Sequence, residues 1–345
     1  MAEGAALTGG SSNEHPAAGL RPDGINRILG GVAPAFALLA GLELDLFSCI
    51  GDDTRLLPDI AIDLEVDPLR LQRLLDALVL VGLLEKQGEA YRNSREARAF
   101  LVRDAPESMA GEHELLRLLW QADLCTAASI RSGLPAAEHD FSGSSEDAAA
   151  FQRGLLPSTL RFGHELADAV AIGQTDSGLD IGGGPAGALL ALAELLPHAR
   201  LTLLELPAVA TIVAPIIATS PHGGRVRIET GDIVAGPAAQ DHDVAILKAV
   251  VQVLAPFQAA AAIRNCFASL KPGGTLAIGG AGMLDDEGMS PPSAVFYNLT
   301  FMNLYRHGAS YTRSQYLAWL AQAGFTEARF LTLRSGGTVL CARRP

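Results

Sequence analysis

The chain has 345 residues, of which 49% are apolar, and carries a formal net charge of −12. This length allows two domains with a sizeable core, while the acidic balance argues against nucleic acid and anionic membranes as partners. Its four cysteines show no paired C-x-x-C spacing, so neither a zinc site nor a disulfide framework is predicted. No apolar run reaches the length of a bilayer span and no signal peptide is recognisable, so we expect a cytoplasmic protein.

Residues 1–22 are predicted to be a flexible tail, and residues 23–170 a mainly helical first domain. The apolar segment that opens this domain is rich enough to be buried on more than one side, as in helices that pack against a second subunit. After it the pattern predicts a short helix, a turn, a second helix over 69–80 and a hairpin at Gln87–Gly88. This order of elements is a winged-helix outline.

The winged-helix outline is compatible with two functions, DNA binding and dimerisation. A helix that reads DNA needs exposed basic or amide side chains on a basic surface. Arg70, Gln72 and Arg73 lie on the second helix, but acidic residues surround them: Asp59, Asp63, Glu65, Asp67 and Asp76. We therefore interpret the region as a scaffold for a homodimer and keep a winged-helix regulator as the non-enzymatic alternative.

Residues 171–345 form the second predicted domain, in which strands alternate with helices. The strands are predicted over 178–181, 200–206, 225–232, 244–251, 275–280, 328–333 and 338–344. Such alternation of buried strands and helices indicates an α/β fold, a Rossmann-like, doubly wound seven-stranded sheet that is mostly parallel and closes with an antiparallel hairpin.

The stretch Leu179–Gly187, with the sequence LDIGGGPAG, joins the first of these strands to a helix. Its glycines allow a tight turn with positive φ and let a ligand approach the main-chain N–H groups at the start of the helix. A cofactor that contains a nucleotide is therefore predicted here, although the glycine spacing alone is a weak signal.

Polar residues follow the next strands of the sheet at their carboxyl ends, where ligands bind in open α/β sheets. Glu205 ends the second strand at a position suited to the hydroxyls of a ribose. Asp232 and Ile233 follow the third strand and offer a carboxylate and an apolar face to an adenine, and Lys248 lies in the fourth. The sequence KPGG at 271 predicts a turn that leads into the fifth strand.

As an ordered set, these features resemble the class I S-adenosylmethionine methyltransferases, and among them the small-molecule O-methyltransferases of the caffeate and hydroxyneurosporene type. The family's blocks are similar to D-x-G-G-G-x-G, D-L-P, G-D-x-F, L-K-x-x-x-H-D-W and K-P-G-G. The chain has DIGGGPAG at 180, ELPAV at 205, GDIV at 231, LKAVVQVL at 247 and KPGG at 271. An aspartate two residues before the first glycine is unusual in NAD-type turns, which favours S-adenosylmethionine.

The resemblance covers nearly all of the chain from residue 24 onward and implies S-adenosylmethionine as cofactor, a small-molecule acceptor and a homodimer. It implies that Gly182 and Gly184 approach the methionine moiety, that Glu205 holds the ribose hydroxyls and that Lys248 lines the pocket. The full predicted cofactor set is Asp180, Gly182, Gly184, Glu205, Leu206, Asp232, Ile233 and Lys248.

One position departs from the family pattern. The histidine of L-K-x-x-x-H-D-W, which in the family removes the proton of the acceptor hydroxyl, is replaced by Gln252. Because a glutamine side chain cannot act as a base near neutral pH, the usual mechanism does not transfer to this chain.

Three interpretations of Gln252 remain open. A thioether acceptor, such as a methylthio-hydroxy acid, needs no base because its sulfur carries no proton, and this favours sulfur as the methylated atom. Alternatively, an O- or C-methyltransferase uses another base, with His307, Tyr297 and Tyr305 as candidates, or the cofactor is bound without methyl transfer. The predicted catalytic positions are Gln252, His307 and Tyr297, and no residue set has metal-ligand spacing.

Overall fold

The computed structural model describes residues 20–141, 146–170, 175–238, 241–281 and 283–345. The predicted flexible tail, residues 1–22, lies almost entirely outside the described residues. The described part of the first predicted domain contains α1 (Asp23–Gly30), α2 (Val32–Glu43), α3 (Leu46–Ile50), β1 (Arg55–Leu56), α4 (Leu57–Asp63), α5 (Pro68–Leu80), β2 (Leu84–Gln87), β3 (Ala90–Asn93), α6 (Arg95–Phe100), α7 (His113–Asp123) and α8 (Thr126–Ser132).

The predicted order of two helices and a hairpin is present as α4, α5, β2 and β3. Asp67 starts α5 as its N-cap, because its side chain accepts a hydrogen bond from the N–H of Arg70 at 2.8 Å. Strand β3 pairs with both β1 and β2 in an antiparallel sheet. Whether this unit is a winged helix in the functional sense stays a prediction.

Helices α1 and α2 carry apolar side chains that the rest of the chain leaves exposed, including Ile25, Ile28, Leu29 and Phe36. The expectation that no apolar run is long enough for a bilayer is wrong: by length and composition alone the stretch Asp23–Glu43 qualifies, and 11% of its apolar 18-residue window is buried. The two helices are separate elements that meet at Gly31. That the protein is cytoplasmic, with no membrane or nucleic-acid partner, stays a prediction.

The remaining described elements are α9 (Glu146–Ala169), β4 (Ser177–Ile181), α10 (Gly187–Leu195), β5 (Arg200–Glu205), α11 (Pro207–Thr219), β6 (Val226–Thr230), β7 (His242–Lys248), α12 (Pro256–Ser269), β8 (Leu270–Gly279), β9 (Met283–Leu284), α13 (Pro292–Leu304), β10 (Tyr311–Thr312), α14 (Arg313–Ala323), β11 (Thr326–Thr332) and β12 (Thr338–Arg343). In the described residues seven of these strands form a sheet of order β11-β12-β8-β7-β4-β5-β6, and β9 and β10 form a separate parallel pair.

The predicted α/β fold is confirmed in its topology. Strands β4 to β8 of this sheet are parallel neighbours, and β12 pairs antiparallel with both β8 and β11, as the predicted closing hairpin requires. The order reverses beside β4, so the carboxyl ends of β4, β5 and β7 frame a crevice. Apolar clusters cover both faces of the sheet.

Two details of the predicted strands are wrong. The strand predicted over 244–251 ends at Lys248, because Ala249 takes a φ of +61° and a short 3-10 helix, Val251–Val253, follows. The KPGG sequence lies within β8 rather than before it, at an irregularity where the pairing with β7 shifts register and Gly273 has a φ of +80°. KPGG therefore lies at the amino end of β8, away from the crevice.

Helix α9 was predicted as part of the first domain, and it packs closely against α10 of the sheet. A Cβ at Gly163 would lie 2.7 Å from the carbonyl oxygen of Ala188, and one at Gly187 would lie 2.6 Å from the backbone nitrogen of Leu160. The two glycines thus allow the helices to approach at backbone distance. The boundary at residue 170 stays a prediction.

Candidate functional site

A cavity of about 750 Å³ opens at the carboxyl ends of the central strands. Its wall includes the predicted residues Gly182, Gly184, Glu205, Leu206, Asp232, Ile233, Lys248, Gln252, Tyr297 and His307. The structure therefore brings together all but one of the predicted site residues. The exception is Asp180, which is buried beneath Gly183 with its carboxylate against that residue and does not line the cavity.

The glycine turn has the backbone conformation that its sequence predicts. Gly182 and Gly184 have φ values of +62° and +55°, a region that costs a residue with a Cβ free energy. A Cβ at Gly184 would also lie 2.5 Å from Oε1 of Gln152, so the end of that side chain would have to move. The turn then enters α10, so its N–H groups and the helix dipole favour a negatively charged or polar ligand group.

Glu205 joins the end of β5 to the glycine turn. One carboxylate oxygen accepts a hydrogen bond from the N–H of Gly184 and the other accepts one from the N–H of Leu206, both at 2.9 Å. Burial raises the pKa of Glu205, and these two hydrogen bonds oppose the rise. Each oxygen retains a lone pair for a further donor, such as a ribose hydroxyl.

Asp180 and Lys248 lie buried near the turn, close enough for the charge of each to affect the pKa of the other. Burial raises the pKa of Asp180 to about 7, with the charge of Glu205 adding to the rise and Lys248 opposing it. Burial lowers the pKa of Lys248 to about 8, against the favourable charges of Asp180 and Glu112. The ammonium of Lys248 also lies 5.7 Å from the centre of the Phe162 ring. Lys248 thus presents a positive charge to the cavity in a poorly solvated setting.

The edge of the cavity beyond β6 has the mixed character expected of an adenine site. Ile233 is buried, whereas Asp232 is exposed and uses one carboxylate oxygen to accept the N–H of Val234 at 2.8 Å. Asp232 is thus both a turn residue, as a purely structural interpretation predicts, and an available acceptor at the wall of the cavity.

Helix α9 supplies a wall that the sequence interpretation missed. Its lining residues follow helical spacing along one face: Phe151, Gln152, Leu155, Ser158, Thr159, Arg161, Phe162 and Glu165. Arg161 pairs with Glu112 at 2.9 Å, which brings the start of α7 to the cavity. The spacing of three and four residues could be recognised in the sequence. The sequence did not show that this face of the helix lines the cavity.

The other end of the cavity is lined with aromatic rings from α13, α9 and the segment before α9. Phe141 and Tyr305 stack with ring centres 5.8 Å apart, as do Tyr297 and Phe301. His139 lies with its ring centre 4.4 Å from that of Phe151. Such a wall fits a flat apolar or aromatic ligand.

The three predicted catalytic residues occupy different positions around this aromatic end. Gln252 is buried, and its backbone carbonyl accepts a hydrogen bond from Ala309 at 3.0 Å. His307 is exposed at the mouth, where it also borders a smaller cavity of about 350 Å³. Burial raises the pKa of Tyr297, and the charges of Glu112 and Asp123 add to the rise, so its phenol stays protonated. Their catalytic roles stay predictions.

The sequence interpretation also passed over His139, a histidine that faces the aromatic end of the cavity. Burial lowers its pKa, and the charge of Asp140 opposes the change. Among the residues that the structure describes, no group of three or more His, Cys, Asp or Glu side chains is placed to hold a metal ion. The prediction of a metal-free site is not tested by that observation.

Two family models match the chain. The model described as the O-methyltransferase domain matches residues 133–326, more than half of the chain, and the O-methyltransferase dimerisation domain matches residues 26–103. The chain belongs to the O-methyltransferase family. The family resemblance inferred from the sequence is confirmed, and so is the expectation of an enzyme, a methyltransferase. The dimerisation domain also supports a homodimer.

Relatives in the family match along nearly their whole length. The 3-hydroxy-5-methyl-1-naphthoate 3-O-methyltransferase of Streptomyces sahachiroi is 25% identical over 337 residues, which cover 96% of this chain and 97% of the relative. The tetracenomycin polyketide synthesis 8-O-methyl transferase TcmO of Streptomyces glaucescens is 28% identical over 318 residues. The match covers 90% of this chain and 93% of that relative. The structure of human N-acetylserotonin methyltransferase in complex with SAM shares the fold, with a TM-score of 0.78 at 20% identity. The match covers 96% of this chain and 99% of that one.

Proposed function

We propose that this methyltransferase transfers the methyl group of S-adenosylmethionine to a hydroxyl of a flat aromatic small molecule. The observation that carries the proposal is the aromatic wall of the cavity, in which Phe141 stacks with Tyr305 and Tyr297 with Phe301. A planar acceptor gains contact area and favourable ring geometry against such a wall. One relative is named for a hydroxylated naphthoate, which is a flat aromatic acceptor, and another for an O-methyl transfer in polyketide synthesis.

The residues of the cavity fit S-adenosylmethionine, which supplies an electrophilic methyl group when bound. The glycine turn brings its backbone to the cavity wall without a Cβ, Glu205 retains acceptor capacity and Ile233 offers an apolar surface. Glu205 would hold the ribose, Asp232 and Ile233 the adenine, and Lys248 the polar end of the methionine moiety. The helix α9 and the aromatic rings would exclude water around the reacting groups.

A thioether acceptor is the second candidate, and Gln252 favours it. This side chain is buried, has Oε1 close to Gly280 and cannot accept a proton. Attack by a sulfur lone pair would need only alignment and the exclusion of water. The relatives that are named as O-methyltransferases favour the hydroxyl acceptor over this alternative.

The direct test is a turnover screen with the purified protein, S-adenosylmethionine and matched acceptors. We expect hydroxynaphthoic acids and related phenols to gain one methyl group on oxygen, with one S-adenosylhomocysteine formed per product. Methylation of thioether analogues alone would contradict the proposal in favour of sulfur. Binding of S-adenosylmethionine with a changed acceptor but no S-adenosylhomocysteine would identify a family member that does not transfer methyl groups.

The homodimer is expected to depend on the apolar surface of α1 and α2. Ile28 is 75% exposed in the single chain, so Ile28→Asp costs little within one subunit but places a charge in a contact that must lose water. We expect sedimentation velocity at micromolar concentration to show monomers for this variant. Phe257→Asp, at an equally exposed apolar residue on α12, is the matched control and should remain a dimer. The reverse pattern would place the interface on the sheet domain.

A further inference from the structure

His139 is held at the cavity by backbone hydrogen bonds to a distant part of the chain. Its own N–H donates to the carbonyl of Leu304 at 2.8 Å, and the N–H of Ala137 donates to the carbonyl of Asn303 at 3.1 Å. The segment thus runs along the end of α13, the helix that also carries Tyr297 and Phe301. The position of the histidine is fixed by the same element that builds the aromatic wall.

Ring contacts on several sides fix the orientation of the His139 side chain. The Phe151 ring lies 4.4 Å away at a tilt of 35°, the Phe141 ring meets it edge-on at 4.6 Å, and Tyr305 lies edge-on at 6.3 Å. The imidazole is thereby set into the part of the cavity that fits a flat acceptor. His139 is half-buried, and a polar ring in such an apolar wall is costly unless something polar meets it.

The state of the ring suits proton acceptance. Poor solvation in this wall lowers the pKa of His139 below its ordinary value, so the ring is neutral at pH 7 and one of its nitrogens has a free lone pair. The neighbouring groups that carry or could carry charge are Asp140, which opposes the shift, and Tyr305, whose own pKa is raised by burial. Glu138, on the same segment, is paired with Arg306.

The other candidate bases are less suitable. Gln252 has no basic atom, and the phenol of Tyr297 has a raised pKa. His307 is the second histidine in the described wall, but it lies at the mouth and is exposed, where water competes for the proton. The loop that carries His307 runs from Tyr305, beside His139, to Ala309, whose N–H bonds to Gln252. His139 and Gln252, at the position where the family has its histidine, both line the same cavity.

We propose that His139 is the general base of this enzyme and takes the role of the histidine that Gln252 replaces. The inference rests on the proposed O-methylation. The acceptor oxygen forms a bond to the methyl carbon, the carbon–sulfur bond breaks with its electron pair left on sulfur, and the hydroxyl proton passes to a ring nitrogen of His139. The neutral sulfide and the methyl ether are the products, and the imidazolium returns its proton to water.

The test compares His139→Gln with His198→Gln, a histidine on the protein surface far along the chain from the cavity wall. We expect His139→Gln to lower kcat on a hydroxynaphthoic acid by about 10²-fold, the lower end of what a general base contributes, with little change in KM. Calorimetric binding of S-adenosylhomocysteine and the melting temperature should stay close to those of the unchanged enzyme. The control should behave like the unchanged enzyme throughout.

The pH profile separates a base from a merely structural residue. A protonated His139 cannot accept a proton, so kcat should fall on the acid side with an apparent pKa below the ordinary histidine value of about 6.5, and His139→Gln should remove that limb. Adding Gln252→His to His139→Gln should restore part of the rate, because it returns an imidazole to the family position. Retention of the acid limb in His139→Gln, or a rate within threefold of the unchanged enzyme, would overturn the proposal.

The remaining outcomes are also decisive. If kcat falls in His307→Gln and not in His139→Gln, His307 is the base and the proposal for His139 is wrong. If the unchanged enzyme methylates thioethers only, no proton leaves the acceptor, and both the proposed function and the role of His139 fail. If hydroxyl acceptors are methylated while His139→Gln is unaffected, the proposed function stands and only this inference is overturned.

Discussion

Replacing Glu205 by glutamine is expected to weaken the binding of S-adenosylhomocysteine by about 10²-fold, although the two side chains have nearly the same shape. The carboxylate accepts the N–H of Gly184 at one oxygen and the N–H of Leu206 at the other. An amide has a single acceptor oxygen, so in either orientation its NH₂ group faces one of these N–H donors. Loss of hydrogen bonds to a charged group costs about 1.5–3 kcal/mol each, and each 1.4 kcal/mol is tenfold in affinity.

Isothermal titration calorimetry measures this effect directly. Glu194→Gln is the control, because Glu194 lies on the surface of α10 in an ion pair with His164 and has no place in the cavity wall. It should bind S-adenosylhomocysteine as the unchanged protein does. Equal affinity for Glu205→Gln would mean that Glu205 neither holds the ribose nor shapes the turn.

Replacing Gly163 by alanine is expected to destabilise the protein, although alanine is the better helix former by about 1 kcal/mol. A Cβ at this position would lie 2.7 Å from two atoms of α10, the carbonyl oxygen of Ala188 and the Cβ of Ala191. Because backbone cannot move aside as a flexible side chain can, α9 must shift away from α10. Overpacking of this kind costs about 1–3 kcal/mol, which in a chain of 345 residues corresponds to a fall of roughly 1–4 °C in Tm.

The same shift would move the α9 wall of the cavity, so we expect weaker S-adenosylhomocysteine binding in the folded Gly163→Ala protein. Differential scanning calorimetry with and without the ligand separates the two effects. Gly224→Ala is the control, since nothing lies within 4 Å of a Cβ there. An unchanged or higher Tm for Gly163→Ala would show that the helix contact is looser than the structure has it.

The cofactor side of the site could be predicted from the sequence because its signals are local. Glu205 ends its strand and Gly231 and Asp232 directly follow theirs, so local sequence places all three at the carboxyl edge of the sheet. The glycine turn likewise follows from its own residues, as the φ values of Gly182 and Gly184 confirm. KPGG was misread because a turn sequence and the irregular start of a strand have the same composition.

The acceptor side could not be predicted, because contacts between distant residues build it. His139 lies in a short segment without periodicity, and its place depends on a backbone bond to Leu304, far along the chain. The repeat of residues along α9 was recognisable in the sequence. That α9 packs against α10 became evident only from the close approach of Gly163 to that helix. Asp180 shows the converse limit: its neighbours in sequence line the cavity, whereas its own side chain points beneath the turn.

Helix α9 also determines how members of this family could be recombined. A chimera that joins the N-terminal region of one parent to the sheet of another at residue 170 would set a foreign helix against Gly187, whose surroundings leave no room for a mismatched side chain. A crossover before Glu146 keeps the two helices from one parent. The parent that supplies α9 would then also pass on part of the acceptor preference, since Phe151 and its neighbours on that helix line the cavity.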